Sequence, residues 1–284
     1  MDCDLISMAF LEKWSCCYHL RLTDLPGVRS TELCSIPQPV SFMAGFAVED
    51  YGLAVLSGAT SCHFGDWVMT PMGNQRYLRG CGVFAVLDAI SAKFAIQKLL
   101  ANQRYCALPI PLSKQELLDC IVFTDGLSYR LIYGYVMEHG VHREVVYPYE
   151  GLFNGNCRCS DYAGEPKIRV HGFSRISIPD ICSMLTRYPL TATMPFYRSF
   201  VERGRSEDLY ESHPNEVAGQ VGRHAVLVIG FGTRYVDGVD RDFFIVKNGW
   251  GLEWGLNGYT RVAAEVLSEF TLPGVVMDEV DADK

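Results

Sequence analysis

The chain has 284 residues and no apolar run approaching the ~18 residues that a membrane-spanning helix needs. It also lacks a basic stripe. Its 33 acidic side chains outnumber 25 basic ones, for a formal net charge of −8, which removes the electrostatic case for binding a nucleic-acid backbone. No Asn-x-Ser/Thr sequon occurs. The opening Met1-Asp2-Cys3-Asp4 is acidic where a secretory signal is basic, and Glu12 and Lys13 interrupt the apolar stretch that follows, so no signal peptide is expected. Internal repeats and low-complexity tracts are absent as well. Neither nucleic acid nor membrane is expected among its partners.

Cysteine, by contrast, is plentiful, at 11 residues. Its spacing does not suit zinc: Cys16-Cys17 and Cys157-Arg158-Cys159 lack the gaps of a ligand knuckle, and no histidine pair follows at the usual distance. No metal and no cofactor are expected. Hydrophobic residues make up 49% of the chain and charged residues 20%, enough to bury a real core.

The pattern along the chain divides it. Residues 1–60 are weakly periodic. From Cys81 to Leu100, apolar residues at 83, 84, 87, 90, 94, 95 and 99 predict a helix with one buried face. Ser113 followed by Glu116 predicts a second helix opened by a capping box. A third helix is expected from about Ser128 to Glu138, stopping at Gly140. Beyond residue 165, Lys167–Phe173, Leu190–Met194, Ala225–Ile229, Phe243–Val246 and Gly258–Val262 read as short strands. A helix around Asp180–Arg187 interrupts them, and the tail Met277–Lys284 reads as frayed. A mostly helical half followed by a mostly β half predicts an α+β fold, with a cleft between the halves as the natural site.

Four residues in the pattern carry chemistry. Cys81 opens the first strong helix, where unpaired N–H groups and a partial positive charge favour a thiolate. Gln75 precedes it in Thr70-Pro-Met-Gly-Asn-Gln75. His224 begins His-Ala-Val-Leu-Val-Ile-Gly-Phe-Gly, 143 residues after Cys81, and Asn248 lies in Lys247-Asn-Gly-Trp-Gly, 167 residues after it. A longer turn through Thr233–Arg241 accounts for the late position of Asn248. Together with Leu112-Ser-Lys-Gln-Glu-Leu-Leu-Asp-Cys120 and Tyr147-Pro-Tyr-Glu-Gly151, these blocks stand in the order of the papain-like cysteine proteases, which the chain resembles from about Asp66 to Val262.

The resemblance implies a two-subdomain papain-like fold, with a helical left domain at about 68–165 and a β-barrel-like right domain at about 166–284. Residues 1–60 would be an N-terminal extension or short pro-region. It implies a cysteine-type endopeptidase with Cys81 as nucleophile, His224 as its base, Asn248 orienting the imidazole and Gln75 in the oxyanion hole, with Trp250 shielding the His–Asn bond. Substrate would meet Gly80, Asp125, Gly126, Arg223 and Trp250. Protein or peptide substrates and cystatin-like inhibitors are the implied partners of a monomer. His139 and His142 read as structural, and Gly230-Phe-Gly232 lacks the third glycine of a nucleotide loop.

Several positions depart from the family. Gly82 stands where a tryptophan usually follows the nucleophile, the Gly-rich cleft loop is shortened to Thr124-Asp-Gly126, and Arg223 replaces an acidic or amide residue before His224. The resemblance implies that Leu78 replaces a disulfide cysteine, so that Cys120, Cys157 and Cys182 have each lost their usual partner; a Cys120–Cys157 bridge remains open, because spacing does not fix connectivity. The family lives in lysosomes, vacuoles or outside cells, whereas lost disulfides suit a reducing compartment. These departures also motivate a second reading, a catalytically impaired papain-fold protein acting by binding.

Overall fold

The computed structural model describes residues 60–63, 68–76, 78–100, 109–122, 128–153, 155–206, 208–211 and 220–279. The extension expected over 1–60 lies outside these residues apart from Thr60, and so do Asp125 and Gly126.

The first half is built on helix α1 (Cys81–Leu100), followed by α2 (Lys114–Cys120) and α3 (Tyr129–His139). The expectation of one buried face understates α1. Every residue from Gly82 to Ala92 is buried, because α1 is the wall shared by two cores. Val83, Leu87, Ile90 and Phe94 pack against Leu117, Ile132 and Val136 of the helical half. Ala89, Ala92 and Ile96 pack against Leu227, Ile229, Phe243 and Ile245 of the sheet.

Ser113 caps α2 by accepting from the Glu116 N–H at 3.0 Å. The reciprocal half of the expected capping box is not made. The Glu116 carboxylate turns inward, fully buried, to accept from the His142 N–H at 2.8 Å and to meet His142 Nδ1 at 2.9 Å. His142 is thus a structural residue, as its sequence context predicts. Ser128 caps α3, which ends at Gly140.

The second half, joined by two short strands from the first, is an antiparallel sheet. Its strands are β1 (Thr60–His63), β2 (Val141–His142), β3 (Lys167–Arg175), β4 (Leu190–Tyr197), β5 (Gln220–Val236), β6 (Val239–Lys247), β7 (Tyr259–Ala263) and β8 (Ser268–Asp278). Two one-turn helices, α4 (Ile181–Leu185) and α5 (Arg198–Glu202), flank β4. The order is β2-β3-β8-β4-β5-β6-β7, with β1 pairing to β5.

Two sequence expectations change. Thr233–Arg241 is not a turn but the tip of a continuous β5–β6 hairpin, closed at Val236↔Val239 by Asp237-Gly238, both at positive φ (50° and 83°). Met277 and Asp278 do not fray: they finish β8, which pairs with β3 across Ile168↔Asp278.

Side chains alternate across each strand, so β5 and β6 face two cores at once. Leu227, Ile229, Phe243 and Ile245 look toward α1. Val226, Val228, Phe244 and Val246 look the other way, into a core with Leu190, Met194, Phe200 and Val262. Lys247 ends β6 on the α1 side. Its ammonium is 3% exposed as a residue, donates to Asp88 Oδ2 on α1 at 2.6 Å, and also reaches the Thr70 carbonyl at 2.8 Å and Thr70 Oγ1 at 2.9 Å. Lys114, the first residue of α2, meets Asp88 Oδ1 at 3.1 Å.

Burial alone would raise the Asp88 carboxyl. The Lys114 and Lys247 charges, with hydrogen bonds from Lys247 and Thr70, reverse this and hold it below the ordinary carboxylate value. Removing one partner of a buried pair strands the other charges, so Asp88→Asn is expected to cost about 3–5 kcal/mol in urea denaturation at pH 7. Because the folded-state value is depressed, the wild-type advantage is complete above the ordinary carboxylate pKa. It fades as pH falls through the lower folded value. A cost under about 1 kcal/mol at pH 7 would contradict this account.

Candidate active site

Cys81 is the first residue of α1, and the opening N–H groups of a helix find no carbonyl within it. Gly80, just before, is buried against Leu118, whose Cδ2 would lie 3.2 Å from a Cβ at that position. Gly82, just after, is buried too, and its backbone reaches the Cys81 sulfur. His224 sits on β5 opposite Met194 of β4, close enough for its imidazole to act on the Cys81 thiol. His224 Nε2 lies 2.8 Å from Asn248 Oδ1, which also accepts from the Gly249 N–H at 2.9 Å. His224 and Asn248 are 3% and 1% exposed, so this bond is dry. A hydrogen bond gains strength in such a low-dielectric setting.

The pairing Leu227↔Lys247 ends the β5–β6 ladder, and the chain past Lys247 runs on beside His224. Asn248 stays in line because its N–H donates to the Gly258 carbonyl at 2.9 Å. The next residues are stitched to the loop before Cys81: the Gln75 N–H donates to the Gly249 carbonyl at 2.7 Å, and the Gly251 N–H to the Gly73 carbonyl at 2.9 Å. Gly251 has φ +80°, and a Cβ there would stand 2.8 Å from Asn74 Nδ2, so a side chain would push this loop away. Gln75 is 7% exposed and donates from Nε2 to the Leu78 carbonyl at 3.1 Å.

Aromatic rings roof the His224–Asn248 bond. Trp250 stacks at a tilt, 4.7 Å from the imidazole, while Phe196 and Phe200 lie at 5.4 Å and 5.7 Å. Trp254 supports them, 4.9 Å from Phe200 and 5.2 Å from Trp250, and donates from Nε1 to the Phe200 carbonyl at 3.2 Å. Trp250 was legible in the sequence; Phe196 and Phe200 were not. Their only signal was two aromatics four residues apart in Pro195-Phe-Tyr-Arg-Ser-Phe200, which a core turn would show equally.

Arg223 is half-exposed beside His224. It bonds Thr193 Oγ1 and donates to Ser268 Oγ at 2.8 Å, and it pairs with Glu269 at 3.3 Å. Neither Asp125 nor Gly126 falls within the described residues. The cross-links differ from expectation: Cys120 and Cys157 form a disulfide, and Cys182 is disulfide-bonded as well. Cys157 and Cys182 are therefore not left without partners, and Cys120–Cys157 is the bridge that spacing left open.

Electrostatically, Cys81 is a site under opposed forces. Burial pushes its thiol up. The hydrogen bond and charge of His224, joined by the backbone of Ala225 and Gly82, outweigh burial and hold the thiol below its ordinary value. Such a pair can carry out nucleophilic acyl transfer, with a thiolate to attack and an imidazolium to give back the proton.

This geometry belongs to a recognised class. The papain family cysteine protease profile matches residues 64–272, and the chain belongs to that family, a cysteine peptidase with the α+β papain fold. It is 32% identical over 205 residues to mexicain from Jacaratia mexicana, spanning 69% of this chain and 86% of mexicain. Chymopapain from Carica papaya is also 32% identical, over 69% of this chain but 53% of its own length. Among solved structures, the Carica candamarcensis cysteine protease CMS1MS2, in complex with E-64, superposes with a TM-score of 0.58 at 27% identity. That match covers 76% of this chain and 98% of the other.

The two free cysteines among the described residues provide an internal test, since burial raises the Cys159 thiol while Cys81 is lowered. Iodoacetamide at pH 6 is expected to label Cys81 at least about tenfold faster than Cys159, the thiolate being the reactive form. Equal rates, read by peptide mass mapping, would argue against a thiolate–imidazolium pair.

Proposed function

We propose that this protein is a cysteine-type endopeptidase that cleaves internal peptide bonds through an acyl-enzyme on Cys81. The observation that carries this reading is the buried His224–Asn248 hydrogen bond, roofed by Trp250 and Phe200, with the imidazole holding the Cys81 thiol below its ordinary value. The Cys81 thiolate attacks the scissile carbonyl carbon, forming a tetrahedral intermediate. His224 then gives its proton to the leaving amine as the C–N bond breaks, and later takes a proton from the water that hydrolyses the thioester. Asn248 holds the imidazole between these two tasks. The oxyanion is received by the Cys81 N–H and the Gln75 side-chain amide, whose second Nε2 hydrogen is not needed for the bond to Leu78.

Substrate specificity would be set around this relay. Trp250 and Arg223 border it, and the resemblance adds Gly80, Asp125 and Gly126 as substrate contacts, the last two outside the described residues. The Arg223–Glu269 pair makes the approach to His224 polar. A cystatin-like inhibitor would occupy the same cleft.

The test is cleavage of a long internally quenched peptide blocked at both ends, with products mapped by mass. Cleavage at internal bonds, abolished by Cys81→Ala, is expected. Asn248→Ala should lower kcat/KM by about a hundredfold through misplacement of the imidazole. Gln75→Ala should lower kcat by roughly a hundredfold or more through loss of an oxyanion donor. Trimming of unblocked ends only would overturn the endopeptidase reading. Turnover unaffected by Cys81→Ala would overturn the catalytic assignment.

A further inference from the structure

A second sulfur centre lies in the helical half, outside the site described above. The Cys120–Cys157 disulfide joins the last residue of α2 to the segment before a short 3-10 turn at Cys159–Tyr162. The Cys159 thiol opens that turn, and its Sγ lies 3.6 Å from Cys120 Sγ. Cys157 is exposed, whereas Cys120 and Cys159 are half-buried.

The surroundings of Cys159 suit proton transfer. Its Sγ donates to Glu116 Oε1 at 3.3 Å, and Glu116 is fully buried. Tyr135 donates its hydroxyl to the same oxygen at 3.1 Å and lies 3.6 Å from the sulfur. Lys167 Nζ stands 3.5 Å from that oxygen. Glu116, His142 and Cys159 come close enough to share a metal ion. The Lys167 ammonium already supplies the positive charge that the carboxylate needs, and two of the three clustered sulfurs are spent in the disulfide. A groove of about 660 Å³, lined by Cys159, Tyr162, Pro166 and Lys167 among others, opens this corner to small reagents.

We propose that Cys120, Cys157 and Cys159 form a thiol–disulfide exchange site in which the bridge moves between Cys120–Cys157 and Cys120–Cys159. Cys159 loses its proton to Glu116, and its thiolate attacks Cys120 Sγ. The Cys120–Cys159 bond forms as the Cys120–Cys157 bond breaks, and Cys157 departs as a thiolate that takes a proton from water. One disulfide and one thiol exist before and after, so no external oxidant or reductant is consumed. Departure toward solvent favours the step, because Cys157 is the exposed member of the three. Burial raises the Cys159 thiol, which keeps it protonated at rest and lets the Cys120–Cys157 bridge stand until exchange is driven. The product would present a new thiol, Cys157, at the surface for a low-molecular-weight disulfide of the glutathione class.

Arg158 separates the two alternatives for measurement, since trypsin cuts between Cys157 and Cys159. The full chain is equilibrated at several ratios of reduced to oxidised glutathione, quenched in acid, blocked with N-ethylmaleimide and mapped. The Cys120 peptide is expected to be linked to the Cys157 peptide in some molecules and to the Cys159 peptide in others. Cys159→Ser should lose the second species, and Cys157→Ser should bridge Cys120 to Cys159. The proposal is overturned if wild type shows only the Cys120–Cys157 link at every ratio, with Cys159 always blocked by maleimide. This wild-type result decides the matter even if a variant fails to fold, and it does not depend on peptidase activity.

Discussion

The buried contact between Lys247 and Asp88 is the constraint on which the rest of the site depends. Asp88 stands seven residues after Cys81 on α1, two helical turns along the same face, so anchoring it anchors Cys81. Lys247 is the last residue of β6, and the strand's alternation sends the next side chain to the opposite face. Fixing Lys247 against the helix therefore fixes Asn248 toward His224. A single ion pair, with Lys114 on its other carboxylate oxygen, sets the helix, the strand and Asn248 relative to one another. A buried charge pair is a costly way to hold two elements together, and replacing it with apolar groups is often neutral for stability. What an apolar contact would not supply is direction: Asp88 accepts from Lys247 along one defined line.

The protein places cysteines in two opposite environments. At Cys81, the imidazole and backbone overcome desolvation and favour the thiolate. At Cys159, desolvation wins even though Tyr135 and Lys167 act against it, because Glu116 adds a nearby negative charge. The same residue type thus has its thiol lowered in one place and raised in another. Neither property belongs to cysteine itself; each follows from the charge and water around it.

Local signals explain which features were legible in the sequence. The three helices were marked by apolar period and by Ser113, Ser128 and Gly140 at their ends. The relay was marked by residue order across distant blocks. The features that eluded the sequence depend on long-range placement. Glu116 looked like the partner in a capping box, but a buried His142 offered its carboxylate two bonds instead of one. β8 was hidden because Pro273 and Gly274 interrupt its pattern, although it pairs with both β3 and β4. The stretch Thr233–Arg241 read as a turn because its side chains are polar; the Asp237-Gly238 pair was the clue to a hairpin. Phe196 and Phe200 could not be told from ordinary core residues until β4 and α5 were seen to lie over the imidazole.

The central claim, that Cys81 is a nucleophile activated by His224, is tested most directly by an epoxysuccinyl thiol-protease probe. Folded wild-type protein is treated at acidic and at neutral pH, and the adduct is located by peptide mapping. The account predicts a single adduct on Cys81, absent from Cys81→Ala and strongly slowed in His224→Ala. An unlabelled wild type at both pH values, or a label that persists in Cys81→Ala, would contradict it.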